Sequence, residues 1–131
     1  IKSTASEILE RMPSIDRLII VSGVLQDNIV QPEKRISDLD PSALHYSYQV
    51  NAIGPMMLVQ ALWPALRRNH PLIVASISAR VGSIADNHLG GWYSYRASKA
   101  ALNQLSHTVA IELARYNPEL YGDPTPWHSR Y

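Results

Sequence analysis

The chain has 131 residues, a formal net charge of +1 and no cysteine. Hydrophobic residues make up 46% and charged residues 18%, a balance too apolar for a disordered chain. Together these values exclude disulfides, thiolate nucleophiles and Cys-ligated zinc, and they leave no basic footprint for nucleic acid or an anionic membrane. The length predicts a single domain over 1–131. The lack of cysteine fits a cytoplasmic protein. No apolar run approaches the roughly 18 residues of a membrane span. The chain opens on Ile1 rather than Met, which predicts that residues upstream are missing.

Thr4 and Glu7 read as a capping box ahead of Ile8, Leu9 and Met12, so a short helix is expected over 5–11, ended by Pro13. Leu18 to Val21 is a continuous apolar run, the pattern of a parallel strand buried on both faces, and it stops at Ser22-Gly23. Residues 26–39 read as a loop. Asp40 and Pro41 read as N-cap and N1 of a long helix reaching toward Asn69. Leu44, Tyr48, Asn51 and Pro55 share one side of it, and Pro64 is expected to kink it near Gln60. A second buried strand is expected over 72–77, then a Gly-containing loop over 78–92, then a long helix over 94–115. The tail from Asn117 holds Pro118, Pro124 and Pro126 and reads as irregular.

The order of helix, strand, helix, strand, helix is an α/β pattern. Only two strands are encoded and both look central, so a parallel sheet made of them alone would leave two open edges. The reading is therefore an α/β domain seen incompletely, with the two strands side by side and parallel and Tyr95 beside their C-terminal ends.

Tyr95-Arg96-Ala97-Ser98-Lys99 places a phenol and an ammonium at i and i+4, on one helix face. At roughly 5 Å and an effective dielectric of about 20, Lys99 stabilises a Tyr95 phenolate by about 3 kcal/mol, which suits general acid–base work. The spacing alone is a weak signal, arising by chance in about one such sequence in six. The histidines at 45, 70, 88, 107 and 128 have no metal-ligand spacing and read as surface residues, with no metal site expected.

Four stretches, in order, resemble the short-chain dehydrogenase/reductase family: Leu18 to Gly23, Val50 to Pro55, Ile73 to Ser83, and Gly91 to Asn103. The wording Gly90-Gly91-Trp92-Tyr93-Ser94-Tyr95-Arg96-Ala97-Ser98-Lys99 is similar to the C-factor-like branch. The resemblance implies a Rossmann-type doubly wound parallel sheet that binds NAD(H) or NADP(H) and moves hydride to or from a small-molecule carbonyl or alcohol. It implies that Tyr95 gives a proton to the carbonyl oxygen, and that Lys99 favours the phenolate and bonds the nicotinamide ribose. Asn51 would hold a water that links Lys99 to solvent, and Ser22 and Gly23 would lie under the cofactor. A homodimer or homotetramer through the two long helices is also implied.

Some positions depart from the family pattern. Its Asn-Asn-Ala-Gly is Ile20-Val21-Ser22-Gly23 here. Aligned on Gly82, Ala79 stands where the family has its catalytic Ser, with Ser78 beside it, and Ser78 is named for that role. No Gly-x-Gly follows a strand, so a phosphate loop is not encoded. Gly122 to Trp127 resembles the branch's extreme C-terminus, which predicts a skipped segment between Asn117 and Gly122. Trp127 would cover the pocket or anchor the tail. Two other functions fit the scaffold: a dinucleotide-binding signalling or sensing protein with little turnover, and an isomerase or dehydratase that recycles its cofactor.

Overall fold

A computed structural model describes residues 1–67 and 70–116. Helix α1 spans Lys2–Arg11 and begins before the expected cap. Thr4 lies inside the first turn, and no side chain caps the helix. The main chain opens the ladder instead, with Ala5 N–H donating to the Ile1 carbonyl at 2.9 Å. Ala5 is buried, and Ile8 and Leu9 pack on the same core, whereas Met12 is exposed. Met12 is extended, as the residue before Pro13 must be.

Strands β1 (Arg17–Ile20) and β2 (Ile73–Ser76) run parallel, with Arg17 opposite Ile73 and Ile20 opposite Ser76. The ladder extends at both ends through Ile73 N–H to the Asp16 carbonyl and Ile77 N–H to the Ile20 carbonyl, each 2.9 Å. The expectation of two buried faces is met on one face only. Leu18, Ile20 and Val74 pack into a core with Ala5, Val59, Leu62 and Leu66. Ile19, Val21, Ile73 and Ile77 are exposed on the other face. The continuous apolar runs thus encode a second face that no described residue covers, as in a sheet built to carry helices on both sides.

The Asp40 cap is as expected: its carboxylate accepts from Ala43 N–H at 3.0 Å, and Pro41 starts helix α2 (Pro41–Tyr48). Near Gln60, where Pro64 predicts a kink, the helix is continuous. Helix α3 (Gly54–Leu66) runs through Pro64 and ends two residues later. The discontinuity is a π-helical turn at Gln49–Ile53, closed by Gly54 N–H donating to the Gln49 carbonyl. Pro55 has no N–H for the Asn51 carbonyl and its ring crowds that carbonyl, so the turn before it widens by one residue. This widened turn carries Asn51, which is fully buried. Helix α4 (Tyr93–Tyr116) follows a loop that contains a 3₁₀ turn at Arg80–Gly82. The expected break between Asn117 and Gly122, and the tail beyond it, lie outside the described residues.

The loop after β1 is ordered by one carboxylate. Asp27 accepts from Ile29 N–H at 2.7 Å, Val30 N–H at 2.9 Å and the Tyr46 hydroxyl at 2.8 Å, which ties the loop to α2. These bonds, Val30's first, hold the Asp27 carboxyl below the usual aspartate range, and the same contact raises the Tyr46 phenol. A depressed acid contributes stability that is present above its unfolded value and lost as pH falls through the folded one. Amide-exchange protection of Ile29 and Val30 should therefore fall on acidification below about pH 4. In Asp27→Ala, protection there should be low throughout.

Candidate active site

Lys99 is the centre of the site. It is 3% exposed, and burial pulls its ammonium below the ordinary lysine range. Such a charge needs fixed partners. Its Nζ donates to the Ile77 carbonyl at 3.0 Å, just past the end of β2. The same Nζ lies 5.7 Å from the centre of the Tyr95 ring, so the i, i+4 pair does share one face as the spacing predicts. At Gly23, a Cβ would stand 3.0 Å from Lys99 Nζ and 3.4 Å from Asn51 Oδ1. A hydrogen at this position is what lets the loop after β1 lie over the lysine.

Asn51 locks that loop in place. Its Oδ1 accepts from Val24 N–H at 2.7 Å, and its Nδ2 donates to the Val24 carbonyl at 2.9 Å. Nδ2 also donates to Ser98 Oγ at 2.9 Å, and the Ser98 hydroxyl donates to the Tyr95 carbonyl at 2.9 Å. One buried amide therefore joins the β1 loop, the π turn and the helix that carries Tyr95 and Lys99.

Of the three serines near the strand ends, each has a different setting. Ser76 Oγ is 3.1 Å from Ser106 Oγ, a packing bond between β2 and α4. Ser78 Oγ is buried and has no hydrogen-bond partner among the described residues. A buried hydroxyl in that state is disfavoured unless something else bonds it. Ser22 is exposed beyond the end of β1. The structure therefore gathers Tyr95, Lys99, Asn51 and Gly23 around the Ile77–Ser78 main chain and leaves Ser22 outside that bonded cluster.

The sequence reading missed the groups that hold the start of α4. Arg96 Nε donates to the Gly91 carbonyl at 2.9 Å and its Nη2 to the Gly90 carbonyl at 3.2 Å. The Glu33 carboxylate, 5% exposed, accepts from Ser94 N–H at 3.2 Å and from the Ser94 hydroxyl. Only the paired wording around Tyr95 marked this region in the sequence. Glu33 lies 61 positions away from Ser94, in a stretch that reads as an ordinary polar loop.

The residues present fit the nicotinamide end of a dinucleotide. The Lys99 ammonium and the unpartnered Ser78 hydroxyl are donors suited to a ribose and a carbonyl oxygen, and Gly23 brings the loop after β1 close beside Lys99. Asn51→Ala should destabilise the protein by about 1–3 kcal/mol, because it strands Val24 N–H in a part-buried site. A urea titration measures this, and an unchanged midpoint would show that the clamp carries no stability.

The family model for short chain dehydrogenases matches residues 1–120. C-signal of Myxococcus xanthus is 37% identical over 78 residues, which cover 60% of this chain and 47% of that protein. The 1-hydroxy-2-glutathionyl-2-methyl-3-butene dehydrogenase of Rhodococcus sp. (strain AD45) is 31% identical over 115 residues, 88% of this chain and 47% of that one. Among solved structures, an NADPH-bound carbonyl reductase from chicken fatty liver aligns with a TM-score of 0.76 at 28% identity, covering 88% of this chain and 48% of its own. The carbonyl reductase Sniffer of D. melanogaster aligns with a TM-score of 0.77 at 23% identity, covering 88% and 50%, a likeness of fold. The chain thus spans about half the length of the relatives it matches. With the family model matched over residues 1–120, the chain belongs to the short-chain dehydrogenase family and carries its Rossmann-type α/β fold.

Proposed function

We propose that this chain carries the catalytic centre of an NAD(P)-dependent oxidoreductase that interconverts a small-molecule carbonyl and the corresponding alcohol. The observation that supports this most is a buried Lys99 held against the Ile77 carbonyl, with the Tyr95 ring 5.7 Å away and the Ser78 hydroxyl unpartnered at the next residue. When bound, the nicotinamide supplies or accepts the hydride. In the reduction direction, Tyr95 donates the phenolic proton to the substrate oxygen. The Ser78 hydroxyl donates a hydrogen bond to the same oxygen and orients the carbonyl. Lys99 stabilises the phenolate left behind, and Lys99, through the nicotinamide ribose, together with Gly23 and Ser22 would hold the cofactor.

The proton must be replaced from solvent. Both Nδ2 hydrogens of Asn51 are engaged, so its side chain has only an acceptor left. Its main-chain carbonyl has no i+4 amide, because position 55 is proline. We assign to Asn51 a relay water that links Lys99 to solvent. The cofactor is NAD(H) or NADP(H), and residues 1–131 belong to one Rossmann-type domain. No helix among the described residues is long and apolar enough to cross a membrane, and a cytoplasmic location is proposed from the absence of cysteine. The assembly is a homodimer or homotetramer that pairs α3 and α4 across a two-fold axis, where Met56, Trp63, Leu105 and Val109 line an open groove.

The likeness to C-signal favours a second reading, a dinucleotide-binding signalling protein with little turnover. It predicts tight dinucleotide binding and no carbonyl turnover across a broad substrate screen. On the oxidoreductase reading, the full-length protein oxidises reduced nicotinamide in the presence of a carbonyl compound. Tyr95→Phe lowers that rate by about 10²–10⁴-fold, the usual share of a general acid. Near-normal turnover by Tyr95→Phe would remove the assignment.

A further inference from the structure

We propose that Glu33 is a positioning residue for the Tyr95 phenol, acting through the first turn of α4; this rests on the oxidoreductase reading above. Its carboxylate accepts from Ser94 N–H at 3.2 Å and from the Ser94 hydroxyl, and its main-chain carbonyl accepts from Trp92 N–H at 2.5 Å. One residue therefore grips positions 92 and 94, immediately before Tyr95.

The grip at Trp92 holds an uncommon backbone. Trp92 has φ +54°, following Gly90 and Gly91 at +67° each. A bulky residue adopts this left-handed conformation only where its surroundings enforce it, and such residues cluster at functional sites. Here the conformation places the Trp92 ring against Tyr95, with centroids 6.4 Å apart and planes at 73°. The Trp92 carbonyl in turn accepts from Arg96 N–H at 2.8 Å and so opens the α4 ladder. At Gly91 a Cβ would stand 3.3 Å from the Glu33 carbonyl, so the loop passes over Glu33 with little room to spare.

The carboxylate is buried, yet no cation lies within ion-pair distance of it among the described residues. What balances it is the end of α4, whose unpaired N–H groups and dipole favour a negative charge. The loop that carries Glu33 is itself pinned on both sides. Val30 is 2% exposed and bonded to Asp27, and Arg35 N–H donates to Asp38 at 3.1 Å in the following turn. Glu33 is thus an anchored point from which α4 starts. Lys99 has a separate anchor in the Ile77 carbonyl, so loss of Glu33 displaces the phenol more than the lysine.

The test uses the full-length protein with Glu33→Ala, Glu33→Gln and Ser94→Ala. For Glu33→Ala we expect lost amide-exchange protection at residues 93–96 and a kcat lower by about 10- to 100-fold, the scale of a misplaced reacting group. The dissociation constant of the dinucleotide should stay close to wild type, because Lys99 keeps its bond to Ile77 and Asn51 keeps its bonds to Val24 beside Gly23. Glu33→Gln retains an oxygen for Ser94 N–H and should recover most of the lost kcat. An unchanged kcat in Glu33→Ala, a fall in dinucleotide affinity to match the fall in kcat, or no recovery in Glu33→Gln would each overturn the proposal. If Glu33→Ala does not fold, Ser94→Ala, which removes only the hydroxyl bond, is judged by the same exchange and kcat readings. Tyr95→Phe run in parallel separates the two failures. If it keeps turnover, the oxidoreductase reading fails; if it is inactive while Glu33→Ala is normal, only the role of Glu33 fails.

Discussion

Burying the Lys99 ammonium is the constraint around which the rest of the site is arranged. A charge removed from water must find fixed dipoles, and the first carbonyl beyond β2, that of Ile77, is the one it finds. That contact brings α4 onto the C-terminal ends of the strands, which is where a doubly wound sheet binds its ligands. It also explains the glycine at position 23. A Cβ there would stand 3.0 Å from Nζ, so the lysine would have to shift for the loop after β1 to keep its place.

Asn51 supplies the second half of that arrangement, and a proline puts it there. Pro55 forces the turn before it to widen, and the widened turn directs the amide of residue 51 inward rather than along a regular helical stripe. From that position a single side chain satisfies both main-chain groups of Val24 and reaches Ser98. The β1 loop and α4 are therefore coupled through a buried hydrogen-bond network. Such a network holds geometry well when every member is bonded and poorly when one is lost.

Much of this was legible in the residues. The Asp40-Pro41 pair located the start of α2 because cap and N1 chemistry are local. The Tyr95–Lys99 spacing placed the two side chains on one helix face because helical periodicity is local too. The strands were read from continuous apolar runs, which identified them correctly but implied two covered faces where the described residues cover one. Pro64 was expected to kink the helix near Gln60, yet α3 runs through it as one helix, while the irregular turn lies before Pro55. The Thr4 box was misread because capping patterns compete with a main chain that can extend the helix unaided. Glu33 was not legible at all. Its partners lie some 60 positions away in the chain, and no local pattern marks a loop carboxylate that caps a distant helix.

The central claim is that Tyr95 and Lys99 act as one unit in proton transfer. A double-mutant cycle on the full-length protein tests it most directly, with kcat for carbonyl reduction measured at saturating dinucleotide in wild type, Tyr95→Phe, Lys99→Met and the double variant. Groups that act as a unit are strongly non-additive, since removing either one forfeits what both supply. The account predicts that the double variant loses little more than the worse single one. A double variant whose loss equals the product of the two single losses would mean that the residues act independently, and would contradict it.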